Sequence, residues 1–224
     1  MEEKNLTGYP SVDRPWLEYY RKEIMNITLP ECTVYQNIYE HNKDYPNDIA
    51  LLYFGKKITY KQLFCEVEKT EKAFISLGVK RGENVVLCTP ATPETIYAIL
   101  AINKIGANAN MLNPTFSGQQ LAGRINETDA VVLIVVNELY GCIKDIISKT
   151  CIKTVISYPA ANCFGAIAKL LKKTKDIPNT VSWDRFIRMG KNISSSVENS
   201  YQKDMPAIMV YSSGTTGVSK GIQL

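Results

Sequence analysis

The stretch NVVLCTPATPETIYAILAINKIGANANML, residues 84–112, decides the fold. Its opening, NVVLCT (84–89), is a short apolar run rich in β-branched side chains, the pattern of a strand buried on both faces. Pro93 to Ile105 is a mostly apolar helical segment, and Gly106 is placed to end it. ANANML (107–112) then returns to a strand, weaker because of its asparagines. Strand, helix and strand within thirty residues predict a crossover between parallel neighbours.

The alternation continues downstream. A helix is expected from Ser117 to about Asn126, and AVVLIVV (130–136) has the strongest strand character in the chain. A helix near 140–148, the strand KTVIS (153–157) and another helix to about Lys172 extend the series. Upstream, IALLYFGKKITY (49–60) reads as a hairpin turning at Gly55-Lys56, and Thr59 can cap the helix that follows. Tyr60, Leu63, Phe64, Val67, Phe74 and Leu77 keep helical spacing up to Gly78. A further helix is expected over Val34–Asn42, and another beginning at Pro15, where proline suits a first turn. The class is α/β, with a largely parallel sheet covered by helices on both faces. Four regions result: an N-terminal helical extension (1–30), an α/β domain (31–190), a polar Ser-rich linker (191–204), and a strand leading into a Gly/Ser/Thr loop (205–224).

Composition excludes several functions. Of 224 residues, 45% are hydrophobic and 21% charged, and the net charge is only +4, an ordinary globular balance that gives no case for nucleic-acid binding. The basic residues are dispersed except at Lys169, Lys172, Lys173 and Lys175, which read as a solvated helix end. The apolar run at 130–136 is far too short to span a bilayer, and MEEKNLTGYP has neither signal-peptide nor transit-peptide layout, so a cytoplasmic location is expected. The six cysteines contain no C-x-x-C pair, and with one histidine, His41, a zinc site is not expected. Buried free thiols in a reducing compartment are expected instead. His41, among Glu40, Asn42 and Lys43, reads as a surface residue. Trp16, Tyr19 and Tyr20 are expected to pack within an N-terminal helix rather than form a stacking shelf, and Trp183 and Phe186 to be core contacts of a short helix.

The chemistry lies in MVYSSGTTGVSKGIQL (209–224). The strand AIMVYSS (207–213) runs directly into the loop. Gly214, Gly217 and Gly221 let backbone bend sharply and approach a ligand, and exposed amides there can form an anion-binding concavity. Ser212, Ser213, Thr215, Thr216 and Ser219 add hydroxyl donors, and Lys220 adds a positive charge. A donor set of this kind suits phosphate or pyrophosphate. The spacing fits neither a Walker A loop nor G-x-G-x-x-G, which disfavours P-loop phosphotransferases and Rossmann dehydrogenases.

The same residues resemble a known signature. Met209, Ser212-Ser213-Gly214-Thr215-Thr216-Gly217 and Ser219-Lys220 look like the phosphate-binding motif of the adenylate-forming (AMP-binding) superfamily, which includes acyl-CoA synthetases and 4-coumarate–CoA ligases. Ser219 is the one departure, where proline is commonest in the family. Residues 77–135 are similar to the family's upstream region, with Gly106-Ala107 and Leu112-Asn113-Pro114 in matching order; the likeness spans roughly 30–224. The resemblance implies the N-terminal part of the large domain of a carboxylate–CoA ligase. Its cofactors would be ATP and Mg²⁺, with coenzyme A as the thiol acceptor and a carboxylic acid as substrate in a full-length enzyme. Ser212, Ser213, Gly214, Thr215, Thr216, Gly217 and Lys220 would contact the nucleotide triphosphate or pyrophosphate. The family's aromatic-Gly-x-Thr-Glu and Thr-Gly-Asp segments, and its catalytic lysine beyond a hinge, are not found in these 224 residues. No catalytic residue and no metal ligand is therefore assigned, and the stretch alone is expected to be inactive. The alternative is a non-catalytic nucleotide-binding or interaction protein derived from such a ligase.

Overall fold

The computed structural model describes residues 6–25, 27–160, 177–194, 201–212 and 220–224. They fall in two units, residues 1–31 and 32–224. In the first, α1 (Pro10–Asp13) and α2 (Lys22–Met25) flank a 3₁₀ turn at Pro15–Tyr19. The helix expected from Pro15 is thus a single 3₁₀ segment. Trp16, Tyr19 and Tyr20 are not packed but 44%, 89% and 51% exposed. Pro10 and Pro15 and the left-handed Arg14 divide this segment into pieces too short for cooperative helix formation.

The second unit opens with α3 (Val34–Asn42), capped by Thr33, whose side chain accepts from the Gln36 amide. A two-stranded antiparallel sheet follows, β1 (Ile49–Tyr53) and β2 (Lys56–Thr59). Phe54 and Gly55 turn it, both with positive φ, as a twist-matched two-residue hairpin requires. Thr59 and Gln62 form a reciprocal capping box that starts α4 (Tyr60–Ser76). Leu63, Val67 and Phe74 of α4 are buried at the anticipated spacing.

Among the described residues the main sheet has seven strands in the order β7-β6-β5-β3-β4-β8-β9. In chain order these are β3 (Asn84–Cys88), β4 (Asn108–Met111), β5 (Val132–Val136), β6 (Thr154–Tyr158), β7 (Val181–Ser182), β8 (Ile208–Ser212) and β9 (Lys220–Gln223). Every pairing is parallel except β8 with β9. Between them run α5 (Pro93–Ile105), α6 (Gly118–Glu127) and α7 (Tyr140–Ile147), and α8 (Trp183–Met189) follows β7. The Gly106 cap of α5 is left-handed, a conformation that costs a side chain-bearing residue energy. The helix expected toward Lys172, and its lysines, lie outside the described residues.

The two faces of the sheet carry separate cores. Val85, Leu87 and Ile134 pack with α4, α5 and α8 residues, including Phe74, Trp183 and Phe186. Val86, Leu133 and Val135 pack on the opposite side with Leu121 and Ile125 of α6 and Ile143 of α7. The polar strand β4 is accommodated by a side-chain ladder. Asn108 Nδ2 donates to Asn84 Oδ1 at 2.8 Å, and Asn110 Nδ2 to Thr128 Oγ1 at 3.1 Å. These bonds satisfy the buried amide nitrogens, while the Oδ1 atoms of Asn108 and Asn110 stay without a hydrogen-bond partner among the described residues.

The polar segment from 191 opens on a 3₁₀ turn, Gly190–Asn192, that continues the end of α8, with Lys191 and Asn192 exposed. Gly190 is pressed against α4; a Cβ there would lie 2.5 Å from the Ala73 nitrogen, which explains why the chain approaches α4 at a glycine. The five described cysteines are free, yet only Cys88 is buried, and Cys65 and Cys142 are exposed. Cys65 sits off the apolar stripe of α4, and Cys142 is next to the inward Ile143 on α7, so helix geometry turns both outward. No helix among the described residues is long and apolar enough to cross a membrane.

Candidate functional site

β8 leaves the sheet beside β4, and β9 returns antiparallel to it. Ser212 is the last residue of β8 and Lys220 the first of β9, and the two stand directly opposite one another. Directly opposed residues of an antiparallel pair point to the same side, so the hydroxyl and the ammonium group share one face at the mouth of the connection. Lys220 is exposed and Ser212 half-buried. Ser213, Gly214, Thr215, Thr216 and Gly217 lie outside the described residues, as does Ser219.

The strand ends are held from beneath by an aromatic cluster that sequence reasoning missed. Tyr211, one residue before Ser212, meets the ring of Phe116 edge-on at 6.4 Å. The Arg124 guanidinium lies 4.2 Å from the Phe116 ring centre and 5.1 Å from that of Tyr211. Burial pushes the Tyr211 hydroxyl above its ordinary range; the nearby Asn110 amide and Arg124 pull it back, and Glu127 raises it. Arg124 belongs to α6, where Leu121, Arg124 and Ile125 form its buried stripe. An arginine at apolar spacing on an amphipathic helix is the signal that could have found it.

Gly221 has a different role from the expected sharp bend. It lies within β9 opposite Tyr211, and a Cβ there would meet Tyr211 Cε1 at 3.3 Å and Met209 Sδ at 3.4 Å. The glycine therefore lets the Tyr211 ring lie close to the neighbouring strand.

A second polar group closes the carboxyl ends of β3 and β6. Thr92 Oγ1 is 2.8 Å and Thr95 Oγ1 3.0 Å from Tyr158 Oη, and Thr95 Oγ1 also donates to the Pro90 carbonyl at 2.8 Å. Burial pushes the Tyr158 hydroxyl up to about 12, against the lowering effect of these hydrogen bonds. The cluster is buried and internally bonded, which suits a structural role. His41 is exposed, as expected, with Nδ1 2.8 Å from the Asn37 carbonyl.

Known proteins resemble both the sequence and this architecture. The profile of the AMP-binding enzyme family matches residues 38–224. The acetyl-coenzyme A synthetase of Shewanella pealeana is 30% identical over 192 residues, covering 81% of this chain and 29% of that protein. The acetyl-coenzyme A synthetase of Helicobacter pylori is 26% identical over 238 residues, covering 100% of this chain and 35% of that protein. Among solved structures, the anthranilate CoA ligase AuaEII in complex with anthranoyl-AMP superposes with a TM-score of 0.72 at 25% identity, covering 87% of this chain and 35% of that one. A long-chain-fatty-acid–CoA ligase of Archaeoglobus fulgidus shares the fold, with a TM-score of 0.69 at 20% identity over 88% of this chain and 37% of that one. The chain thus spans about a third of the length of the curated relatives it matches. With an α/β sheet shared with CoA ligases and a family match running through the Ser212–Lys220 hairpin, this chain belongs to the AMP-binding enzyme family.

Proposed function

We propose that these residues form the phosphate-handling part of an ATP-dependent carboxylate–CoA ligase. The observation that carries this reading is the pairing of Ser212 with Lys220, which brings a hydroxyl donor and a cation to one side of a strand-to-strand connection. ATP with Mg²⁺ would supply the activated phosphate for joining a carboxylate to AMP, and coenzyme A would then take the acyl group. The donor set fits that anion: Ser212 donates from its hydroxyl, Lys220 offsets negative charge, and Ser213, Gly214, Thr215, Thr216 and Gly217 add hydroxyl and backbone donors. Donors fixed in advance lower the electrostatic cost of charge gathering on the leaving pyrophosphate.

The 224 residues contain no aromatic-Gly-x-Thr-Glu and no Thr-Gly-Asp sequence. By themselves they hold the phosphates but do not complete adenylate formation. The five described free thiols support placing the protein in the reducing cytoplasm.

Calorimetry with pyrophosphate and with Mg²⁺–ATP tests the proposal. The purified chain binds both weakly, and Lys220→Ala weakens each by roughly tenfold, the effect of removing one charge-assisted contact. Equal binding by the wild type and Lys220→Ala would remove the loop from the reading. Carboxylate-dependent ATP–pyrophosphate exchange by the purified 224-residue chain would overturn the expectation of inactivity.

A further inference from the structure

Arg124 is 9% exposed, yet its guanidinium enters none of the ion pairs among the described residues. Its Nη1 donates to the Gln120 carbonyl at 3.0 Å within its own helix, and its buried Nε has no hydrogen-bond partner. Holding a cation there without a carboxylate carries a desolvation cost that must be offset. The offset on hand is aromatic: the guanidinium lies 4.2 Å from the ring centre of Phe116 and 5.1 Å from that of Tyr211. Cation–π attraction strengthens when both partners are removed from water.

These contacts join two distant pieces of the chain. Phe116 precedes Ser117, the residue that caps α6. Arg124 stands two turns further along α6, and Tyr211 is the penultimate residue of β8. On the β9 side Tyr211 lies close against Gly221, where a Cβ would already be in contact with the ring. From the guanidinium outward, the support reaches the strand end from which the Ser212–Lys220 connection departs.

We infer that Arg124 is a positioning residue for the paired ends of β8 and β9: lying over the rings of Phe116 and Tyr211, which meet edge-on, it fixes the β8 end that presents Ser212 opposite Lys220. Its role is indirect, through Tyr211 rather than through contact with phosphate, and it rests on the reading of the β8–β9 connection as a phosphate site. Arginine suits the position because its flat, weakly hydrated cation can rest against aromatic rings, whereas a lysine ammonium is a compact, strongly hydrated charge.

The test compares the 224-residue chain with Arg124→Met, which keeps much of the bulk but removes the charge, and Arg124→Lys, which keeps the charge. Amide hydrogen exchange is followed in peptides covering 208–212 and 220–223 and, as an internal reference, in β3 and β5. Arg124→Met is expected to speed exchange in the β8–β9 peptides on the order of tenfold while β3 and β5 stay within twofold, the size of one desolvated cation–π contact. Arg124→Lys is expected to recover part of that protection, and pyrophosphate affinity to fall with Arg124→Met and partly return with Arg124→Lys. Unchanged exchange in Arg124→Met, or an equal rise across β3, β5, β8 and β9, would overturn the proposal, the latter reducing Arg124 to a general packing residue. If Arg124→Met does not fold, Arg124→Lys and Phe116→Leu are read in the same way, each expected to loosen 208–212 and 220–223 selectively. Failure of wild-type chain to bind pyrophosphate would instead count against the phosphate reading, and the exchange comparison would still decide the positioning role.

Discussion

The centre of the sheet and its β8–β9 end are built from opposite materials. Every residue of β5 is buried, and β3 is buried from Val85 onward. Every residue of β9 is exposed, and only Met209 of β8 is fully buried. The central strands therefore contribute stability through apolar burial, while the end strands present polar groups whose geometry is held by a few specific contacts. The proposed binding chemistry lies at the less buried end, where hydroxyl and ammonium groups are available to a ligand and a rigid sheet behind them keeps their spacing.

Substitutions can break or sharpen this contrast. The largest effect is expected at the centre: Ile134→Ala opens a cavity in the core shared with α4, α5 and α8 and should cost about 4 kcal/mol in urea unfolding. Gly190→Ala comes next, at about 3 kcal/mol, because its Cβ would meet the backbone of α4 rather than a movable side chain. A smaller effect is expected for the hydroxyl cluster and depends on pH. The Tyr158 hydroxyl is raised from its ordinary 10 to about 12 in the folded chain, so above pH 10 the unfolded chain loses its proton first. Stability contributed by the neutral phenol is thus present below pH 10 and is lost as pH rises toward about 12, on the order of 2 kcal/mol. Tyr158→Phe should flatten that part of the stability–pH curve; an unchanged slope would assign it to other groups. The smallest change is expected at the edge, where Ile222→Ala on the half-exposed β9 should stay within about 0.5 kcal/mol. A cost there near that of Ile134→Ala would erase the distinction between centre and edge.

Much of the fold was legible because its elements announce themselves locally. Val34–Asn42 and Pro93–Ile105 were expected within their observed bounds, since apolar spacing, and for the second a terminating Gly106, act within a few residues. The segment after Pro15 was not, because proline at a first helical turn is equally compatible with a 3₁₀ turn when too little chain follows to propagate a helix. Exposure of Cys65 and Cys142 was misread for a related reason. Residue type favours burial, but helical phase decides it.

The candidate site divides along the same line. Ser212 and Lys220 were named from the order of residues in the motif, and their opposition across β8 and β9 agrees with a loop that joins two strands. Arg124 and Phe116 lie more than eighty residues before Tyr211, and nothing in their spacing ties them to it. Gly221, expected to provide a bend, instead makes room for an aromatic ring on the adjacent strand.

The sequence by itself determined the α/β alternation, the family, and the donor-rich loop, because periodicity, caps and a contiguous motif are written within short stretches of chain. Only the tertiary structure decided the strand order β7-β6-β5-β3-β4-β8-β9 and the seat of Arg124 against Phe116 and Tyr211. Those depend on crossovers that bring distant residues together, and a buried cation finds its aromatic partners only after the helix that carries it has packed against the sheet.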